Sequence, residues 1–178
     1  SKKILEANLE FDRIVALAKG GLAFSRSLVD YLDVKQVSSI QIELYTGINA
    51  SGATPVITQS LPTSIRNERI LVFDDLADSG ETLKLAVEYL SHHGPASVHT
   101  ATLMTKPHTV FTPDFSVRET TAWVIFPNEV RETVGQLASM WSKQGDDVQT
   151  IAQQLEQIGL PSHEAEFFLQ RFADQDST

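Results

Sequence analysis

The residues best suited to chemistry lie in one run, Ile70-Leu71-Val72-Phe73-Asp74-Asp75-Leu76-Ala77-Asp78-Ser79-Gly80-Glu81-Thr82. Its four leading apolar residues read as a buried strand, and the residues after them as a short loop. The strand would carry two adjacent carboxylates, Asp74 and Asp75, to its carboxyl end. That edge is where open α/β sheets bind ligands. Two carboxylates side by side accept hydrogen bonds from vicinal hydroxyls or hold a hard cation such as Mg²⁺. From Glu81 the apolar residues take helical spacing, so Ser79, Gly80 and Thr82 stand at a helix N-terminus. The free N–H groups and partial positive charge there suit a phosphate, and Gly80 lets the backbone come close to it.

Weaker signals lie on either side. Lys19-Gly20-Gly21 follows an apolar run and precedes a helical pattern, so it reads as a sharp strand-to-helix turn with exposed N–H groups and one cation. Lys106, in Lys106-Pro107, ends another strand pattern, and Trp123 opens a later apolar run, Trp123-Val124-Ile125-Phe126. An ammonium only donates and so favours an oxo group over an amino group. An indole offers a flat face to a flat ring. The five histidines have no metal-ligand spacing, and no Ser stands in a nucleophile motif.

These residues need elements to hold them. Strand patterns cover residues 11–19, 37–45, 70–73, 98–104 and 123–126, and helical patterns cover 22–32 and 81–92. The alternation of strand and helix predicts an α/β domain with a largely parallel sheet flanked by helices. Residues 46–60 contain Gly47, Asn49, Gly52 and Pro55 and read as a long, mobile loop, and residues 106–121 read as irregular. From Val130 the pattern turns helical throughout. Asp146 or Asp147 can cap a helix that Gly159 ends, and Pro161-Ser162 can open a last one. The expected organisation is one domain over residues 1–128 and a helical appendage over 129–178.

Composition narrows the class. The 178 residues carry 14 Lys plus Arg against 23 Asp plus Glu, a net charge of −9. No clustered basic surface is available to grip a nucleic-acid backbone, so phosphate binding has to be local. The absence of cysteine excludes disulfide scaffolds, Cys-based zinc sites and cysteine nucleophiles, and is compatible with a cytoplasmic location. No apolar run approaches the length of a membrane span, and Glu6 interrupts any signal-peptide core.

The thirteen-residue run resembles the PRPP-binding signature of type I phosphoribosyltransferases at every position. The resemblance implies that Asp74 and Asp75 bind the ribose hydroxyls, directly or through Mg²⁺. It implies that Ser79, Gly80, Glu81 and Thr82 cradle the 5′-phosphate, that Ala77 and Asp78 also belong to the PRPP-binding residues, and that Asp78 is the general acid or base near the purine N7. Lys19, Gly20 and Gly21 resemble the pyrophosphate loop of that family. Lys106, with Trp123 and Val124, resembles the base site of its 6-oxopurine branch, which includes xanthine-guanine and hypoxanthine enzymes. Tyr45 matches one residue of the Ser-Tyr pair near the start of the family's catalytic lid, while Leu44 replaces the Ser. The implied reaction converts PRPP and a 6-oxopurine to a nucleoside monophosphate and pyrophosphate, in a homodimer with Mg²⁺. Two departures stand out: residues 46–60 hold no Lys or Arg, and Asn128 follows Pro127 where family members often have an aromatic. A PRPP-sensing regulator with little turnover is the rival that the first departure favours.

Overall fold

The computed structural model describes residues 1–46 and 53–176. The chain divides into two compact units, Ser1–Ala122 and Trp123–Thr178. In the first unit the order is α1 (Lys2–Glu6), β1 (Arg13–Ala18), α2 (Gly20–Tyr31), β2 (Gln36–Thr46), β3 (Ala53–Gln59), β4 (Arg69–Ala77), α3 (Glu81–Ser91), β5 (Ser97–Thr105) and β6 (Phe115–Glu119). The second holds α4 (Val130–Gln144), α5 (Val148–Gln157) and α6 (Ser162–Asp176).

The six strands form one sheet in the order β3-β2-β1-β4-β5-β6. All neighbours are parallel except β2 and β3. β1 is apolar and buried from Ile14 through Leu17, as a central parallel strand covered on both faces must be. Alternate residues serve opposite faces. Val15, Leu17, Ile70 and Val72 pack with Leu83, Ala86 and Leu90 of α3. Ile14, Leu71 and Phe73 pack with Ile4 of α1 and Leu28 of α2 on the other side. The connections through α2 and α3 leave β1 and β4 in opposite directions, so a topological switch point lies between these two strands, at the carboxyl ends where Asp74, Asp75 and Lys19 sit. At the other end of the sheet the Arg13 guanidinium donates to Glu68 at 2.7 and 3.1 Å and to Ser38 at 3.0 Å.

Two sequence expectations are corrected. Residues 123–126 are not a strand; the last strand is Phe115–Glu119, inside the stretch read as irregular. Asp114 docks that stretch by accepting from the Thr100 N–H at 2.7 Å and the Thr100 hydroxyl at 2.9 Å, which sets Ala101 beside Phe115 in parallel register. As an edge strand, β6 lacks a continuous apolar run. The apolar run at 123–126 instead serves the second unit, where Ile125 packs against Val130, Val134 and their neighbours. Residues 46–60 are not one long loop either. Ala53–Gln59 pairs antiparallel with β2, and Pro55 is tolerated because β3 is an edge strand. Residues 47–52 lie outside the described residues.

The C-terminal helices form as their signals predict. The Asp147 carboxylate accepts from the Thr150 N–H at 2.8 Å and caps α5. Gly145 and Gly159 end α4 and the turn after α5 at φ +99° and +92°. Val134, Leu137, Ile151, Leu155 and Leu169 close a separate core.

Candidate functional site

β4 runs further than its four apolar residues, through Ala77, so both acids belong to the strand. Gly20 and Gly21 open α2 directly beside them. A Cβ on Gly20 would lie 2.4 Å from both Asp75 carboxylate oxygens, and one on Gly21 would lie 2.4 Å from the Phe73 carbonyl oxygen. Only glycines let this helix start come so close to β4. The peptide between Ala18 and Lys19, where the turn begins, is cis. Lys19 itself is exposed.

The two carboxyl groups interact. Asp74 Oδ1 accepts from the Asp75 N–H at 2.9 Å. Burial, then repulsion from Asp75, pushes the Asp74 carboxyl well above the usual carboxylate range, while the N–H groups of Asp75 and Gly21 oppose this. Burial also raises Asp75. Asp75 Oδ2 is buried and has no hydrogen-bond partner. An orphaned oxygen in a buried acidic pair is a costly arrangement unless a donor or cation completes it. Among the described residues no group of three or more His, Cys, Asp or Glu is arranged to hold a metal ion. Two carboxylates are nevertheless what Mg²⁺ commonly takes from a protein, with substrate oxygens and water completing its shell. The donor set therefore suits a hard cation whose shell is completed by phosphate oxygens and water.

After Ala77 the chain turns into α3 through Gly80, at φ +82°, and the Ser79 hydroxyl accepts from the Glu81 N–H at 3.3 Å. The segment after β5 packs on this turn. Lys106 N–H donates to the Ala77 carbonyl at 3.0 Å and Val110 N–H to the Ser79 carbonyl at 2.7 Å. A Cβ on Gly80 would lie 2.3 Å from Thr109 Oγ1, so glycine is required twice over, by φ and by space. Between these segments opens a cavity of about 260 Å³ lined by Asp74, Asp78, Ser79, Gly80, Thr82 and His108, with Leu44 and Leu76 as apolar walls. A larger groove of about 420 Å³, between α1, α2, β5 and β6, has an apolar lining that includes Phe24, Tyr31 and Phe115 and contains no carboxylate. The carboxylates and hydroxyls gather at the smaller cavity.

The other residues singled out in the sequence are placed as follows. Glu81 is exposed in the first turn of α3. Lys106 is buried, and its ammonium donates to the Ala122 carbonyl. Tyr45 is exposed on the β2–β3 hairpin, and its neighbour Leu44 is the one that lines the cavity. Trp123 and Val124 open the second unit, Trp123 exposed and Val124 half-buried. Sequence reasoning missed His108, whose Nε2 lies 2.8 Å from Asp78 Oδ1. The available signal was its position two residues after Lys106, just past the carboxyl end of a strand.

Residues 1–133 match the family model described as phosphoribosyl transferase domain. A hypoxanthine-guanine phosphoribosyltransferase of Dictyostelium discoideum is 33% identical over 97 residues, 52% of this chain and 54% of that protein. One from Streptococcus pneumoniae is 30% identical over 95 residues, 53% of each. The chain thus spans about half the length of these curated relatives. A solved purine phosphoribosyltransferase from Pyrococcus horikoshii is 31% identical, covers 71% of this chain and 80% of its own, and superposes with a TM-score of 0.62. A Helicobacter pylori xanthine-guanine-hypoxanthine phosphoribosyltransferase, 22% identical over 74% of this chain and 85% of its own, shares the fold with a TM-score of 0.64. With the signature run on β4 and α3 and the Gly-Gly turn against it, the chain belongs to the phosphoribosyltransferase family.

Proposed function

We propose that the protein transfers the phosphoribosyl group of PRPP to a 6-oxopurine base, releasing pyrophosphate and giving a purine nucleoside monophosphate. One observation carries this reading: the switch point sets a Gly-Gly turn against a buried acidic pair, and Asp74 of that pair lines one cavity with the start of a helix. Each is suited to one part of PRPP.

In this reading Asp74 and Asp75 accept from the ribose hydroxyls. The backbone of residues 77–82 and the hydroxyls of Ser79 and Thr82 hold the 5′-phosphate at the start of α3. Lys19 and the N–H groups of Gly20 and Gly21 take the pyrophosphate, and Tyr45 is a further proposed PRPP contact. Asp74 and Asp75 would hold Mg²⁺, which when bound would supply positive charge to offset that of the departing pyrophosphate. As the bond to pyrophosphate loosens, positive charge develops on the ribose. The protein's own task is to fix the sugar and receive the negative charge that leaves it. Asp78 faces the purine N7 and exchanges its proton. The Lys106 ammonium has three donors, and one already holds the Ala122 carbonyl, so the group is fixed with donors left for the purine O6. Trp123 and Val124 are the proposed base-packing residues.

The protein, PRPP, Mg²⁺ and a panel of guanine, hypoxanthine, xanthine, adenine and uracil make the test. Pyrophosphate release with an oxopurine is expected. Release only with adenine or uracil would reject the oxopurine assignment, and PRPP binding without release would mark a regulator. The same reading expects a cytoplasmic homodimer, for which light scattering on the purified protein is the check. No helix of the described residues is long and apolar enough to cross a membrane.

A further inference from the structure

The Asp78–His108 contact joins two loops that are already held together. Residues 106–111 lie on the turn between β4 and α3 through the hydrogen bonds Lys106 N–H to Ala77 and Val110 N–H to Ser79. The Thr109 hydroxyl occupies the space where Gly80 lacks a side chain. Carboxylate and imidazole are thus presented by two backbones that constrain each other. Their side chains are 63% and 67% exposed. An exposed polar pair of this kind adds little to folding stability, so packing does not account for it. Both side chains line the cavity that holds Asp74, Ser79 and Thr82.

We propose that His108 is a positioning residue for Asp78, donating from Nε2–H to Oδ1 so that Oδ2 is presented to the purine. The proposal rests on reading Asp78 as the group that faces the base. A lone exposed aspartate samples several rotamers, and selecting one at the moment of reaction costs entropy. A carboxylate with one oxygen engaged keeps the other free to accept. Prior orientation of that kind acts on the chemical step more than on sugar-phosphate binding. The base-side segment beginning at Lys106 thereby sets the geometry of a residue on the sugar-side turn.

Glutamine and asparagine separate this role from a purely local one. The amide nitrogen of glutamine lies as many bonds from Cβ as the imidazole Nε2, whereas that of asparagine mimics Nδ1. Steady-state rates with PRPP, Mg²⁺ and the preferred oxopurine, and PRPP affinity by calorimetry, are measured for His108→Ala, His108→Asn and His108→Gln. The Ala and Asn variants are expected to lose about tenfold in kcat, as for one lost hydrogen bond, with PRPP affinity within about twofold of wild type. His108→Gln should recover most of the loss. Wild-type kcat in His108→Ala, a Gln variant as impaired as Ala, or PRPP affinity falling in step with kcat would each overturn the proposal.

If the wild type binds PRPP but no base releases pyrophosphate, the proposed reaction fails separately. Imidazole nitrogen resonances then decide for His108. A proton on Nε2 that shifts in Asp78→Ala sustains the positioning contact, and the absence of that proton or of the shift overturns it.

Discussion

At the scale of single residues, the acidic pair opposes folding. The Asp74 carboxyl is raised by burial and by Asp75, so between its ordinary value of 3.8 and its folded value the native state holds a proton that the unfolded chain has released. Stability is therefore fully present below that ordinary value and is lost as pH rises through the folded value. An amide mimics the protonated acid and still accepts from the Asp75 N–H. Asp74→Asn is thus expected to melt several degrees above wild type at pH 8, with the gain shrinking toward pH 4, while its PRPP affinity collapses. Thermal melts across pH, with calorimetry, check both halves; a lower melting temperature than wild type at pH 8 would contradict the account. Lys106 gives the second prediction at this scale. Losing a charged donor costs about 1.5–3 kcal/mol, so Lys106→Ala should lose about ten- to hundredfold in kcat/KM for oxopurines. PRPP affinity should stay near wild type, because in the proposed function the ammonium contacts the base and not the sugar. Unchanged oxopurine turnover would remove Lys106 from the base site.

At the scale of elements, the approach of α2 to β4 brings the Gly-Gly turn, the proposed pyrophosphate loop, against the acidic pair. Gly20 faces a carboxylate, but Gly21 faces the backbone oxygen of Phe73, which cannot rotate away. Gly21→Ala should therefore cost about 1–3 kcal/mol by overpacking, read as a lower urea midpoint with an unchanged slope. An alanine variant as stable as wild type would show that the helix can lift without loss. The opposite end of β4 carries a pH signal of the other sign. Asp12 accepts from the Arg69 N–H at 2.7 Å and from its guanidinium at 2.8 and 3.0 Å. These bonds hold the Asp12 carboxyl down from the usual 3.8 to about 2. Its contribution is present above 3.8 and is lost as pH falls toward 2. The pair is well exposed, so solvent screening keeps the effect small. Acid unfolding of Asp12→Asn should show a shallower fall in stability over that window than wild type does; identical profiles would mean the pair contributes nothing.

At the scale of the whole molecule, ligand binding and folding are linked through the first unit. In the proposed function PRPP completes an acidic pair whose Asp75 oxygen has no partner. A ligand at about a hundred times its Kd stabilises by about 2.7 kcal/mol, which raises Tm by roughly 5–10 °C in a chain of this size. PRPP with Mg²⁺ is expected to produce such a shift, and a chelator should remove part of it. A Tm that ignores PRPP would contradict the assignment of the cavity. The second unit has its own core around Val134, Leu137 and Leu155.

What the sequence alone determined is whatever its neighbours along the chain decide. The strand–acid–glycine–helix order of residues 70–82, the alternation that yields a parallel sheet, and the capped C-terminal helices are all local signals. Each was legible because propensity, turn chemistry and apolar period act over a few residues. Tertiary structure decided the rest. The edge strands β3 and β6 have one partner each and need no continuous apolar run, so their sequences did not declare them. Residues 123–126 are apolar for the sake of helices that follow, which a strand period cannot reveal. The contact of Gly20 with Asp75 and the bond between Asp78 and His108 join residues that the chain keeps far apart. Such pairs converge only when the sheet order sets the carboxyl ends of β1, β4 and β5 side by side, because strand pairing is a non-local choice made by the packed core.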